Sequence, residues 1–496
     1  MGRRPQAVTG WKVRVMYHSE GRLRRAEDFV DWQGTAVVVG AGTAGCSVAA
    51  ALASLGLEVL VVDAGMDRSR QLAGELMHPP GVGDLRALGF EDALGTAGAV
   101  PVTGFAVLDT SEPLQPSTCL LPYGALGQGV AMEHSALVAA LQASLFTRQH
   151  VTVWESCRVV RVARNDAAGV EVEVLHPDGQ RATVSASLLV AADGRASKVR
   201  GLLGIEEENV RLSTMSGTLV DAALLPHPGF GHLFVGGPAP VLAYAISAHL
   251  ARVMIDLPTG SEPTTPVRQP EYLRALPLGL RAAVTAALRE ARPLASANFT
   301  RLPKHVSRGS AVLVGDAAGC CHPLSASGMS SCTRDALALQ SALREAAGDI
   351  PSALARYALV RRGPQRTRLS LASALYRCFS EDSPEMAALR QGIVRYWTRS
   401  PSGRDASMAL LSTREPRMWV MSLQYARVVG HAFIALASNF FSRGAPFTRT
   451  VRAALGLVRS TLPHLSEAAR GLLEDAGLRR AAAIPVADSA TRTASA

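Results

Sequence analysis

Short apolar runs, each ending on a glycine or an acid, set the rhythm of the first two-thirds of the chain. Thr35-Ala36-Val37-Val38-Val39 is too short for a helix and β-branched enough for a buried parallel strand. It runs into Gly40-Ala41-Gly42-Thr43-Ala44-Gly45, then an Ala-rich stretch from Cys46 to Leu55 that predicts a helix closed by Gly56. Glu58 to Asp63 reads as a second strand. Leu188–Ala192 predicts a strand ending in Asp193-Gly194, and Ala311–Val314 one entering Gly315-Asp316. Between these, residues 213–300 alternate in the manner of strands, notably Leu233–Val235, Val241–Ile246 and Arg252–Leu257. From about Pro351 the pattern turns helical. Within it, Met418 to Phe441 is largely apolar but interrupted by Arg427 and His431.

The order strand, glycines, helix, strand, acid is that of a dinucleotide-binding βαβ unit. The glycines serve a tight turn, a close approach of backbone to pyrophosphate, and helix–strand packing, and the helix N-terminus offers N–H groups to phosphate. Asp63, with Ala64 after it, ends the second strand where a carboxylate meets ribose hydroxyls. Gly40, Gly42, Thr43, Ala44, Gly45, Asp63 and Ala64 are therefore candidate cofactor-binding residues. This motif alone does not choose between NAD and FAD. Asp193, Gly194, Gly315, Asp316, Gly328 and Met329 extend the set: an acid at a strand end can hold a ribityl hydroxyl, and a following helix N-terminus can face the flavin pyrimidine.

Composition narrows the classes. The chain has 496 residues, 48% hydrophobic and 19% charged, which excludes disorder and small disulfide scaffolds. Seven scattered cysteines without C-x-x-C spacing argue for a reduced chain and no metal site. Net charge is +10, yet only three of the 51 basic residues are lysine, and no nucleic-acid-binding spacing accompanies them. Residues 1–34 lack the apolar core of an export signal and read as a solvated extension. No uninterrupted apolar run reaches the roughly 18 residues of a spanning helix. The apolar helix with its flanking arginines instead suits a membrane interface or a buried cap.

The three motifs together resemble the class A flavoprotein monooxygenases, and several strings resemble squalene monooxygenase (squalene epoxidase) in particular. Gly74-Glu75-Leu76-Met77-His78-Pro79-Pro80-Gly81 is similar to that family's G-E-L-L-Q-P-G-G, and Leu121-Pro122-Tyr123 to its I-P-Y. His322-Pro323-Leu324 with Gly328-Met329 is similar to H-P-L-T-G-G-G-M. Departures are His78 for Gln, Asp63 for Glu, Gln71 with Arg70 beside it and His134 at two arginine positions, and Ala326-Ser327 for two glycines. The resemblance implies FAD as cofactor, with Arg70, His134 and Cys157 completing its contacts. It implies O2 as co-substrate and NAD(P)H as electron source, directly or through a separate reductase. A flavin C4a-hydroperoxide would deliver oxygen to an alkene, so no catalytic side chain is expected.

Tyr123, His78 and Pro323 are the substrate-pocket candidates. Tyr123 either lines the cavity or is a core tyrosine with a satisfied hydroxyl, and His78 either meets the substrate or is structural. His322 reads as positional, and Asp335 as a helix-surface or cap partner. The expected fold is α/β: a discontinuous Rossmann-type FAD-binding domain (35–66, 148–212, 306–350), an inserted β-sheet substrate domain (67–147, 213–305), a C-terminal helical region (351–460) and a tail (461–496). The implied activity is epoxidation of a hydrophobic isoprenoid. Alternatives are oxidation of a prenylated aromatic or quinolone, or reduction of an isoprenoid double bond. The implied location is cytoplasmic, peripheral or monotopic at the inner membrane face.

Overall fold

The computed structural model describes residues 29–65, 72–111, 117–443, 446–461, 466 and 469. Arg70 and Gln71 and almost all of the tail fall outside them. Two large sheets, each with helices packed on it, organise the rest. The first has strand order Ser307–Arg308, Ala311–Leu313, Arg181–Ala191, Trp32–Val39, Val59–Val62, Val151–Trp154. Its last four neighbours pair in parallel, as they must when helices or long excursions return the chain to the same edge. A hairpin, Arg158–Asp166 and Gly169–Leu175, adds antiparallel to Arg181–Ala191. The first strand starts before the predicted Thr35. Trp32, Gln33 and Gly34 pair with Val184, Ser185 and Ala186, because Trp32 packs on the sheet's outer core.

One face of this sheet is covered by the helices Thr43–Ala53 and Gly328–Glu345. The helix His134–Phe146, grouped by sequence with the substrate domain, packs here too, with Leu137, Leu141 and Leu145 in one core with Val48 and Leu52. It closes the crossover that returns the chain to the parallel strand Val151–Trp154.

The second sheet runs Leu294–Pro303, Glu207–Asp221, Leu250–Pro258, Val241–Ala245, Phe230–Val235, Gly104–Asp109, Ser117–Pro122. Its alternation is visible in Phe230–Val235: Phe234 faces one core with Val241's and Leu280's side chains, and Leu233 and Val235 face the other. The first of these cores is closed by the helix Leu278–Glu290. The second is closed by the C-terminal helices Ile350–Ser380, Pro384–Arg399, Pro401–Leu411 and Met418–Arg443. A small sheet of Leu76–Met77, Gly129–Ala131 and Val100–Val102 bridges the two halves.

Candidate active site

The glycine loop is built for close approach. Gly40 has φ +99°, and a Cβ there would lie 2.6 Å from the Ala192 carbonyl oxygen. A Cβ on Gly45 would lie 1.7 Å from the Gly40 oxygen. The helix Thr43–Ala53 has Gly42 as N-cap, no side-chain cap and no acid in its first turn, so its first N–H groups point out of the loop unclaimed by a cap. Thr43 is buried, and its Oγ1 has no hydrogen-bond partner among the described residues. A buried orphan hydroxyl beside uncapped N–H groups, in a cradle that no Cβ could enter, fits a dinucleotide pyrophosphate. Ala44 contributes closeness: a Cβ on Gly315 (φ +57°) would lie 2.8 Å from the Ala44 methyl.

Asp63 is held at the mouth of this loop. Its Oδ2 accepts from Ala41 N–H at 2.6 Å and its Oδ1 from Gly65 N–H at 2.9 Å. The carboxylate directly follows the strand Val59–Val62 and faces the glycine loop, where a ribose hydroxyl would meet it. Ala64 beside it is exposed. The buried Cys157 donates its N–H to the Asp63 carbonyl, and burial pushes its thiol up to about 11. His134 bonds the Gly74 carbonyl through Nδ1 at 2.9 Å, tying the helix His134–Phe146 to the Gly74-Glu75 segment.

The two acid motifs differ in how far the protein itself satisfies them. Asp193 takes the Ser197 hydroxyl at 2.5 Å and Val199 N–H at 3.1 Å, capping the short helix Lys198–Leu202, while Gly194 (φ +80°) makes the turn. The half-buried Asp316 carboxylate receives no side-chain or backbone donor among the described residues, which leaves it open to a ribityl hydroxyl. Asp335 is not on a helix surface. It is buried, accepts Gly315 N–H at 2.8 Å, and pairs with Arg361 Nε at 3.0 Å, so an ion pair fixes the turn that presents Asp316. At the far end of the 316–328 loop, Gly328 opens the helix Gly328–Glu345, whose N-cap Ser327 makes no side-chain cap bond and instead bonds the Ser325 hydroxyl at 2.8 Å. Met329 is buried against Gly74 and the flavin-side core.

Ala326 sits in the left-handed region, φ 49° and ψ 20°, where glycine is favoured. Replacing it with glycine is expected to stabilise the fold by on the order of 0.5–1 kcal/mol, the relief of backbone strain outweighing the added chain entropy. Urea unfolding of Ala326→Gly measures this, and a lower midpoint would contradict it.

On the substrate side, His78 and Tyr123 form one unit. His78 Nε2 lies 2.9 Å from the Ser325 carbonyl, an obligate acceptor, so Nε2 carries the proton and Nδ1 accepts the Tyr123 hydroxyl at 2.6 Å. The pair therefore stitches the Gly74–Gly81 segment, the second sheet and the 322–327 loop together. Both residues are buried behind Phe105, whose ring is 5.9 Å from His78 and 6.3 Å from Tyr123. Phe105 lines an apolar cavity with an empty volume, mouth included, of about 1010 Å³. Leu121, Leu233, Leu324, Leu375, Met408 and Val428 are among the other lining residues, and none that lines it is charged. Tyr123 and His78 stand behind this wall, and Pro323 is solvent-exposed while its neighbour Leu324 reaches the cavity.

Burial lowers the His78 pKa to about 4, and that of His232 to about 4 as well. The unfolded chain binds these protons first as pH falls below about 6.5, so stability is full above that value and drains away down to pH 4. The expected loss is on the order of 3 kcal/mol per histidine. Urea midpoints at pH 7 and pH 4.5 check this, with His78→Gln expected to flatten the dependence. Equal slopes for the two proteins would contradict it.

Two structural features were missed by sequence reasoning. Glu75 and Arg252 form a buried bidentate pair, Nε to Oε2 at 2.9 Å and Nη2 to Oε1 at 2.8 Å. The signal was present: an acid directly before the apolar Leu76-Met77, and an arginine inside an apolar strand. The second is the polar cluster around His322, taken up below.

The squalene epoxidase family model matches residues 185–449, more than half of the chain. The chain belongs to the squalene epoxidase family. It is an FAD-dependent monooxygenase. The squalene epoxidase of Aspergillus fumigatus is 29% identical over 379 residues, 73% of this chain and 78% of that one. That of Gibberella zeae is 28% identical over 468 residues, 86% and 91% of the two chains. The architecture agrees with p-nitrophenol 4-monooxygenase from Pseudomonas putida (TM-score 0.62, 21% identity, 80% of this chain and 98% of that). It agrees equally with HpxO of Klebsiella pneumoniae solved with FAD (TM-score 0.63, 24% identity, 76% and 99%). The expected α/β class, with a Rossmann-type FAD-binding unit, a sheet domain and C-terminal helices, is the one found.

Proposed function

We propose that this squalene epoxidase homologue epoxidises a carbon–carbon double bond of a squalene-type isoprenoid, with electrons from NAD(P)H taken directly or through a separate reductase. The observation that supports this best is the cavity: an apolar space with no charged wall residue among those described, reached by Leu324 from the loop that continues the Asp316 turn. A charged or strongly polar substrate would lose its hydration there without recompense, whereas a hydrocarbon gains from burial. FAD, when bound, supplies electron storage and O2 activation. Gly40, Gly42, Thr43, Ala44, Gly45, Asp63, Asp316 and Gly328 are the groups that would hold it. The protein's own part is to exclude water and to orient the alkene.

The helix Met418–Arg443 supports peripheral membrane contact as part of this reading. Met421, Gln424, Tyr425 and Val428 face the cavity, and Trp419, Leu423, Ile434 and Phe441 are exposed on its opposite face. One helix thus stands between an apolar cavity and an outer face that carries these apolar side chains with the exposed Arg427 among them, which suits an interfacial helix delivering a greasy substrate. Replacing Trp419 and Ile434 by serine is expected to weaken binding to anionic vesicles about tenfold. Flotation assays measure this, and unchanged flotation would contradict it.

Turnover tests the substrate class. Purified protein in detergent receives FAD, NAD(P)H, a reductase, and squalene in competition with a farnesylated quinolone. Squalene epoxide is the expected product. Exclusive oxidation of the quinolone would move the reading to prenylated aromatics, and a saturated double bond without O2 uptake would overturn it.

A further inference from the structure

The loop carrying Leu324 is clamped by a buried polar cluster of Ser213, Asp256, Asn298 and His322. Ser213, Asp256, Asn298 and His322 are all nearly inaccessible, and they come from three adjacent strands and the loop. The backbone donor of Leu324 assigns the imidazole tautomer, with the Asn298 amide nitrogen 3.4 Å from Nε2 beside it. Leu324 N–H donates to His322 Nδ1 at 3.2 Å, so Nε2 carries the proton and faces Ser213 Oγ at 3.1 Å and Asp256 Oδ1 at 3.3 Å. Ser213 donates to Asp256 Oδ1 at 2.5 Å, and the Asn298 amide donates to Ser213 Oγ at 2.9 Å and to Asp256 Oδ1 at 3.2 Å. Because the serine proton goes to the carboxylate and the cluster is sealed from solvent, this is not a nucleophile with its base.

The other face of the imidazole stacks on Tyr376, ring centroids 4.2 Å apart. Tyr376 lies on the helix Ile350–Ser380 between Leu375 and Cys378, both cavity-lining. His322 is therefore the joint where the second sheet, the cavity helix and the flavin-side loop meet. On its loop side, Leu324 enters the cavity and the Ser325 carbonyl holds His78.

We propose that Asp256 and Ser213, acting through His322, are positioning residues that hold the 322–327 loop against the occupied cavity and thereby set how fully O2 reduction is coupled to epoxidation. The inference rests on the monooxygenase reading. In the coupled route reduced FAD gives two electrons and two protons, one oxygen atom enters the alkene, and the other leaves as water. In the uncoupled route the same electrons and protons leave with both oxygen atoms as H2O2.

The experiment compares wild type with Asp256→Asn and Ser213→Ala as FAD-loaded proteins. It reads product and H2O2 per NAD(P)H, FAD affinity, and hydrogen exchange over 320–327. Both variants are expected to lose about tenfold in product per NAD(P)H, with H2O2 making up the difference and loop exchange accelerated, while FAD affinity stays within about threefold. Ser213→Ala removes one hydroxyl and guards against a misfolded Asp256→Asn. Unchanged coupling in a folded variant would overturn the proposal, as would unchanged loop exchange. If wild type converts neither substrate, the functional reading fails by itself. Exchange and FAD affinity then decide the positioning role: faster exchange with unchanged affinity upholds it, and unchanged exchange overturns it.

Discussion

Gly45→Ala is expected to abolish FAD binding, weakening it by at least about 100-fold and costing on the order of 3 kcal/mol of stability. The added Cβ would stand 1.7 Å from the Gly40 carbonyl oxygen. No flexible side chain is there to move aside, so the helix Thr43–Ala53 must shift away from the first strand. That displaces the uncapped N–H groups and Thr43 Oγ1 together, and with them the phosphate cradle. Gly56→Ala is the control. Gly56 has φ +76° but nothing within 4 Å of its virtual Cβ, so only backbone strain of about 1 kcal/mol is expected there, with FAD affinity unchanged. Flavin fluorescence titration and urea unfolding read both effects. FAD affinity in Gly45→Ala close to that of wild type would show that the cofactor does not lie on this loop.

Truncating Arg252 is the second large effect. Removing one partner of a buried ion pair strands the other, at a cost of about 3–5 kcal/mol. Burial already raises the Glu75 pKa, and Arg252 restrains it most, with a smaller contribution from the His134 backbone. In Arg252→Ala that restraint goes, so Glu75 takes up a proton more readily. An acid whose folded pKa is raised stabilises at low pH and destabilises as pH rises through that pKa, so the penalty is expected to be larger at pH 8 than at pH 5. The double variant Glu75→Leu/Arg252→Met is expected to recover much of the loss, because a buried pair gives little over a packed apolar one. Urea unfolding of the three proteins at both pH values checks this. The consequence reaches the site, since the Glu75 backbone carbonyl accepts Met132 N–H and the residue lies three positions before His78. A pH-independent penalty, or no recovery in the double variant, would contradict the assignment.

What the sequence revealed and what it hid divide on physical lines. Local backbone demands were legible: Gly40 and Gly315 adopt positive φ, and Gly45 must approach the Gly40 carbonyl within one βαβ unit, although the contacts of Gly40 with Ala192 and of Gly315 with Ala44 reach across the chain. The strands at Phe230–Val235, Val241–Ala245 and Leu250–Pro258 were legible from alternation. Partnerships across the chain were not. Asp335 looked like a surface acid because nothing near it in sequence says that Arg361, one helix later, will bury it. Glu75 and Arg252 are 177 residues apart, and His322 finds its partners 109 and 66 residues away. Pro323 was singled out by its motif, whereas the turn Pro323–Ser325 presents Leu324 to the cavity. Arg70 lies outside the described residues.

The most direct test of the central claim is the fate of isotopic oxygen. Purified, FAD-loaded protein turns over squalene with NAD(P)H and a reductase under ¹⁸O2 in ordinary water, and the product is read by mass spectrometry. The account predicts an epoxide carrying one ¹⁸O atom, with the other recovered in water. Product oxygen drawn from the solvent, or O2 reduced only to H2O2 while the alkene survives, would contradict it.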